Sequence, residues 1–175
     1  GFDYCAYGMR QPIPISSPKI FMLNNYPENW QSHYQKMNYL ATDPTIQHAL
    51  QSESAIIWSD LFNEAPLFWE EAKAYGLVVG WAQSCRSLRG VVGMLTVSRS
   101  AELLSIAELH LKETKLNWLA RVFHETMVRQ VLPELLPETK AGLTDREIEV
   151  LRWSADGKNA QQISDILLIS ENTVN

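Results

Sequence analysis

The chain has 175 residues, 46% of them hydrophobic, and a formal net charge of −5, enough apolar material for a packed core in one domain or two small ones. It has no apolar run of about 18 residues and no charged-then-apolar leader, so a soluble, cytoplasmic protein is expected. Its two cysteines, Cys5 and Cys85, lie far apart and its four histidines are scattered, which excludes a metal-ligand spacing; the thiols are expected to be buried and reduced, and neither metal nor cofactor is expected.

Phe2 to Arg10 (FDYCAYGMR) alternates and is rich in aromatics, a strand pattern. QPIPISSP after it reads as a loop, since each proline removes a ladder donor, and Lys19 to Asn24 reads as a second strand. Pro27 suits the first turn of a helix. From there Tyr26, Trp30 and Tyr34 recur every four residues along one face, up to a helix end near Asn38–Tyr39. A short polar segment then delivers Asp43-Pro44, and Ile56-Ile57-Trp58 reads as a third strand. Asn63 to Tyr75 has Pro66 near its start and Gly76 just past its end, the asymmetry of a helix. Leu67, Phe68 and Ala72 are expected inside it, with Glu70 and Lys73 in water.

Leu77 to Gln83 and Val91 to Arg99 read as an antiparallel hairpin, with Val92, Met94, Thr96 and Ser98 on one face. Leu104 to Leu132 reads as a long helix whose stripe runs from Leu109 through Leu116, Leu119, Ala120, Phe123 and Met127 to Val131. That stripe covers the sheet or in part faces a second copy. PELLPETKAG, with two prolines, charges and a glycine, marks a linker and domain boundary.

From Leu143 the texture changes. Thr144-Asp-Arg-Glu147 is a capping box opening a helix with Ile148, Leu151 and Trp153 on its core side, ending at Gly157. A second short helix, Asn159 to Leu167, exposes Gln161 and Gln162 and buries Ile163 and Ile166. Ser170 caps a third helix that starts at Glu171. Two short helices around such a turn fit a helix-turn-helix, and by spacing alone equally an ordinary helical subdomain. The acidic balance speaks weakly against a nucleic-acid face. The chain opens on Gly1 rather than Met and stops at Asn175 inside an expected helix, so it is read as a fragment whose missing sequence can carry basic residues.

Chemistry concentrates between Asn25 and Trp58, where two tryptophans, two tyrosines and Asp43 gather with no cation nearby in sequence. An unpaired buried carboxylate is costly and calls for a donor. One candidate donor is a ligand N–H. Indole Nε1–H donates only and a tyrosine hydroxyl does either, so the set suits a small molecule with an amide, a carbonyl and an apolar tail. The same aromatic stripe also reads as plain core.

NYPENW…Y…DP…W, GL-x-x-G at Gly76–Gly80, and LTDREIEVLRW…GK…ISENTVN resemble the LuxR-type regulators that respond to acyl-homoserine lactones. The resemblance spans nearly the whole chain, and its two halves match independently. It implies an α+β fold in which an α/β/α sandwich with an antiparallel sheet, residues 1–132, forms the autoinducer-binding domain. A linker over 133–141 and a partial all-α helix-turn-helix DNA-binding domain over 142–175, cut off at the start of its recognition helix, would follow. The implied protein is a quorum-sensing transcriptional regulator and not an enzyme. Its effector would be an N-acyl-homoserine lactone, and its further partners promoter DNA and a second copy of itself.

By the same resemblance Trp30 donates to the lactone carbonyl, Asp43 accepts the ligand's amide N–H, and Tyr26 donates to the amide carbonyl with Thr96 nearby. Trp58 packs flat against the head group and Tyr34 walls the pocket. Ile20, Met22, Leu77 and Met94 are candidates to line the tail, with Trp81 able to shorten or reshape it. On the DNA side Lys158 reads as a phosphate contact or a plain solvated lysine, Thr173 sits in the first turn of the third helix, and Asn175 falls at a base-contacting position. Two other readings compete. One is an orphan sensor of the same build, holding another amide or acting without ligand. The other is an enzyme using Ser98, His110 and Asp43, which no elbow motif or metal spacing supports.

Overall fold

The computed structural model describes residues 1–11, 19–87, 90–135 and 143–174. The chain divides into two compact units, Gly1–Val131 and Leu132–Asn175.

In the first unit β1 (Tyr4–Arg10), β2 (Ile20–Asn24), β3 (Ile56–Ile57), β4 (Val79–Arg86) and β5 (Val92–Arg99) form one sheet in the order β2-β1-β5-β4-β3, antiparallel throughout. The register lays side chains in rows across it. Ala6 stands opposite Asn24 and Thr96, Gly8 opposite Met22 and Met94, and Arg10 opposite Ile20 and Val92. On the far side of β5, Ser98 faces Gly80 and Val92 faces Arg86. Helices α1 (Glu28–Lys36), α2 (Pro44–Gln51) and α3 (Pro66–Ala74) lie on the face of these rows, and α4 (Ile106–Gln130) covers the other. The α/β/α expectation holds.

Several local expectations are corrected. Between Asp43-Pro44 and β3, where the sequence reading assigned no element, the chain forms α2, because Asp43 caps it and Pro44 fills its first position. β3 stops at Ile57, and Trp58 opens a 3₁₀ turn, Trp58–Leu61, instead of closing the strand. In α3 the buried positions are Phe68, Trp69 and Ala72, while Leu67 is 75% exposed. The Trp69 indole donates to the Leu61 carbonyl (2.9 Å), which turns the helix so that Leu67 faces out. α3 ends in a left-handed Gly76 (φ 85°), with Gly76 N–H bonded to Lys73 and Leu77 N–H to Ala72, the exit that closes the helix's last carbonyls. Cys85 is buried but Cys5 is exposed, because Tyr7 and Met9 occupy the covered part of that face of β1.

Ser105 caps α4 by accepting from the Glu108 N–H (3.1 Å). The helix buries Leu116, Ala120, His124 and Met127, whereas Leu119, expected in the stripe, is 42% exposed. The unexpected His124 takes a hydrogen bond position against the Tyr7 hydroxyl, with Nδ1 2.9 Å away. Burial holds its pKa below the ordinary value, so it is neutral there. Gly93 makes the space, since a Cβ on it would come within 2.2 Å of the His124 ring. At the start of α4 the buried Arg99 grips Glu108 with two parallel bonds of 2.9 Å, and Lys112 adds a third bond.

The second unit holds α5 (Leu132–Leu135), α6 (Asp145–Ala155), α7 (Ala160–Leu167) and α8 (Glu171–Val174). The expected linker, 133–141, thus opens in a short helix, and the remainder lies outside the described residues. The Thr144–Glu147 box is present, with the Glu147 N–H 3.3 Å from the Thr144 hydroxyl and the Thr144 N–H on Glu147 Oε2 (2.6 Å). A second box, Asn159 with Gln162, starts α7. Ile163 is the buried anchor of α7, while Leu151 and Ile166, expected inside, are 54% and 44% exposed, so only part of each apolar face is covered. Among the described residues no helix is long and apolar enough to cross a membrane.

Candidate functional site

Asp43 is placed by the backbone before it. α1 ends at Lys36 with Met37 as its C-cap, Asn38 adopts φ 54°, and a 3₁₀ turn, Tyr39–Ala41, swings the chain back over the sheet. Asp43 Oδ1 then accepts from the Thr45 N–H (2.8 Å) and the Thr45 hydroxyl (2.6 Å), and Oδ2 from the Tyr34 hydroxyl (2.9 Å). The expectation of a carboxylate short of donors is corrected, for three protein donors hold it although no cation among the described residues does. Burial still prevails and pushes its carboxyl above the ordinary value of 3.8, against the bonds from Thr45 and Tyr34. Oδ2 accepts one protein donor and retains capacity for another.

Trp30, 3% exposed, projects from α1 and is stacked on Tyr39 at 6.1 Å with the rings 29° apart. Tyr39 is fixed in turn by Glu71 of α3, whose Oε2 accepts from the Tyr39 hydroxyl and meets His33 Nε2, each at 2.5 Å. Those contacts hold the Glu71 carboxyl below its ordinary value, and the Tyr39 phenol is pushed up to about 12, first by burial and then by Glu71. Tyr26 lies just ahead of the helix rather than on it, packed edge-on against Tyr4. Burial and the Asp43 charge raise its phenol pKa, and its hydroxyl lies beside that of Ser98 without closing a hydrogen bond. Trp58 lies across Gly80, where a Cβ would meet its ring at 2.3 Å, and is held from behind by Trp69 at 5.2 Å.

All six expected ligand residues, Tyr26, Trp30, Tyr34, Asp43, Trp58 and Thr96, line one cavity of about 150 Å³. At roughly 10–15 Å³ per water by this measure, that is room for about ten waters. Asp43, Tyr26 and Thr96 lie toward the end formed by the Thr96 row, and Arg10 stands at the other. From the Thr96 row the cavity continues past Gly8, Met22 and Met94 to Arg10, Ile20 and Val92, under Ile46, Ala49 and Leu50 of α2. Ile20, Met22, Leu77 and Met94 line it as expected. Trp81 does not, because it points through the other face and packs with Val97 and Leu116. Sequence reasoning missed Thr45, Tyr39, His33 and Glu71. Asp43-Pro44-Thr45 carried a readable helix start, whereas His33 and Glu71, 38 positions apart, carried no signal.

Residues 1–127 match the autoinducer-binding domain family, and residues 141–175 match the family of bacterial regulatory proteins of the LuxR type. The chain belongs to the LuxR family. It is 44% identical over 178 residues to the transcriptional activator protein AnoR of Acinetobacter nosocomialis, covering 100% of this chain and 75% of AnoR. It is 37% identical over 176 residues to the HTH-type quorum-sensing regulator RhlR of Pseudomonas aeruginosa, covering 100% of this chain and 73% of RhlR. The crystal structure of Escherichia coli SdiA matches at a TM-score of 0.74 and 34% identity over 99% of this chain and 73% of that one. A second SdiA structure, a complex with octanoyl-rac-glycerol, matches at a TM-score of 0.74, 37% identity and 99% and 71% coverage. LuxR-family chains with these two domains are ligand-responsive transcriptional regulators, not enzymes. His110 is exposed on α4, across the sheet from Asp43.

Of the expected DNA contacts, Lys158 follows the left-handed Gly157 at the end of α6, its Nζ 3.9 Å from Asp156. Thr173 is exposed in the only turn of α8, its hydroxyl 2.7 Å from that of Ser170. Asn175 lies outside the described residues.

Proposed function

We propose that the cavity holds an N-acyl-homoserine lactone, and that the protein works in the cytoplasm as a homodimer whose second unit binds promoter DNA. The observation that carries this reading is that Asp43, Tyr26, Trp30 and Thr96 line the same cavity as the apolar Ile20, Met22, Leu77 and Met94. In it the free capacity of Asp43 Oδ2 takes the ligand's amide N–H, the Tyr26 hydroxyl donates to the amide carbonyl beside Thr96, and the Trp30 indole donates to the lactone carbonyl. Trp58 supports the ring from below, and Tyr34 both walls the pocket and steadies Asp43. A hydrogen bond to a charged acceptor contributes about 1.5–3 kcal/mol and each buried CH₂ of the tail about 0.8 kcal/mol, so the head sets identity while the tail adds affinity.

A ligand held this way ties α1, α2, the Trp58 turn and the sheet into one core. It stabilises the folded state by mass action, and a folded dimer spans two half-sites. Lys158, Thr173 and Asn175 then serve phosphate positioning and base reading. The name of AnoR as an activator supports a positive response. A second reading is favoured by the SdiA complex with octanoyl-rac-glycerol: an acyl ester whose head brings hydroxyls instead of an amide. Thermal shift of the purified chain with butanoyl to dodecanoyl lactones and with octanoylglycerol separates the two. Stabilisation by lactones at lower concentration than by the glyceride supports the first; stabilisation by the glyceride alone sinks it.

A further inference from the structure

We propose that Gly8 is the length gauge of the acyl tail, the position that sets which lactones this receptor accepts; the inference rests on the lactone reading of the cavity. Three glycines sit in the sheet, and two have a packing reason. A Cβ on Gly80 would meet the Trp58 ring at 2.3 Å, and one on Gly93 would meet His124 at 2.2 Å. Gly8 has neither reason. A Cβ there meets nothing within 4 Å, and its backbone is not in the left-handed region that favours glycine. Glycine inside a strand weakens it, having no side chain to pack and more freedom to lose. What its missing side chain preserves is open space, and that space is the cavity it lines.

Gly8 stands midway along the lane. On β5 the polar end is marked by Thr96, the middle by Met94 opposite Gly8, and the far row by Val92 opposite Arg10. Four residues of strand cover about 13 Å at roughly 3.3 Å each. The roof gives an independent measure. α2 is capped by Asp43 over the Thr96 end, and two carbonyls of its last turn, of Ala49 and Leu50, accept from Arg86, which stands opposite Val92 of β5. Its eight residues span about 12 Å at roughly 1.5 Å each, so floor and roof agree. An extended alkyl chain advances about 1.25 Å per carbon, from a bond of about 1.5 Å and an angle near 111°. Counted from an amide at the Thr96 row, a tail reaches Gly8 after about five carbons and the Arg10–Val92 row after about ten. The flanking walls, Met22 and Met94, are unbranched and adjust to what lies between them. The floor at position 8 is backbone and does not. Medium-length tails therefore pass over Gly8, and a side chain there stops them near the sixth carbon while leaving the head contacts untouched.

The test titrates the full chain and its Gly8→Ala and Gly8→Val variants with butanoyl-, octanoyl- and decanoyl-homoserine lactone, read by tryptophan fluorescence and thermal shift. Wild type is expected to bind the octanoyl and decanoyl lactones more tightly than the butanoyl. Gly8→Val is expected to hold the butanoyl lactone within about threefold and to lose at least about tenfold on the longer two. Gly8→Ala falls between, and carries the test if the valine variant does not fold. An unchanged length profile, or an equal loss at every length, overturns the gauge while leaving the lactone reading intact. Wild-type protein that binds none of the three overturns the lactone reading, and the gauge with it.

Discussion

Replacing Asp43 by asparagine isolates the proposed ligand contact from the carboxylate's structural task. Asparagine caps helices as well as aspartate does, so its Oδ1 keeps the bonds from the Thr45 N–H and hydroxyl, now 2.8 and 2.6 Å. The Tyr34 hydroxyl, 2.9 Å from Oδ2, can turn and accept from the new amide. What disappears is the charged acceptor. A ligand N–H arriving there meets another donor, and the loss of about 1.5–3 kcal/mol is a weakening of about ten- to a hundredfold in Kd. Asp43→Ala removes the cap as well and costs about a further 1 kcal/mol of fold stability. The assay is titration of wild type and both variants with the preferred lactone, alongside ligand-free melting. Asparagine is expected to lose affinity but not stability, and alanine to lose both. Burial raises the Asp43 carboxyl above 3.8, so in the ligand-free protein ionisation opposes folding. That cost is absent below about 3.8 and sets in as pH rises through the raised pKa. At neutral pH the ligand-free asparagine variant should therefore match or exceed wild type in melting temperature, with the gap closing in acid. Asparagine binding within threefold of wild type would refute the role assigned to Asp43.

Gly80→Ala drives a methyl into the Trp58 ring and should lower stability by about 1–3 kcal/mol. It should also abolish lactone-dependent thermal shift, since Trp58 must move off its floor; a preserved shift would show that Trp58 does not bear on the ligand. Tyr7→Phe leaves the buried His124 Nδ1 without its 2.9 Å partner and should cost about 1–3 kcal/mol in denaturant melts without altering affinity for any lactone. Glu108→Gln loosens the grip of Arg99 on the start of α4. The Glu108 carboxyl is held down at about 2 by Arg99 and Lys112, so its contribution is present above 4.5 and is lost as pH falls toward about 2. The variant should melt below wild type at neutral pH and converge with it in acid, and a gap that stays constant with pH would count against the ion pair.

The sequence made the sheet legible wherever alternation was strong. The faces of β1 and β5 were readable because a period of two assigns Thr96, Met94 and Val92 to one side without further information. The six proposed ligand residues came from the family resemblance, and the structure brings them to one cavity. What escaped was set by contacts across long stretches of chain. Trp69 displaced Leu67 from the core because its indole found the Leu61 carbonyl, a choice that helical periodicity does not encode. His124 entered the core because Tyr7, 117 positions away, supplies a partner and Gly93 the room.

Asp43 shows the limit most clearly. Counting nearby cations left it unpaired and made a ligand N–H one candidate donor, but its protein donors are uncharged and local: a backbone N–H and hydroxyl two residues on, and a tyrosine one helix back. The carboxylate that would read the ligand's amide is therefore also the cap of the helix that roofs the tail. Because that helix is fixed at its other end by Arg86, a ligand that adds a donor at Asp43 acts on one end of an element already pinned at the other. Recognition of the head and stiffening of the roof over the tail are then the same event. Head binding should reduce amide hydrogen exchange along Pro44–Gln51 even for a lactone too short to touch Leu50, and exchange there that slows only with long tails would break the link.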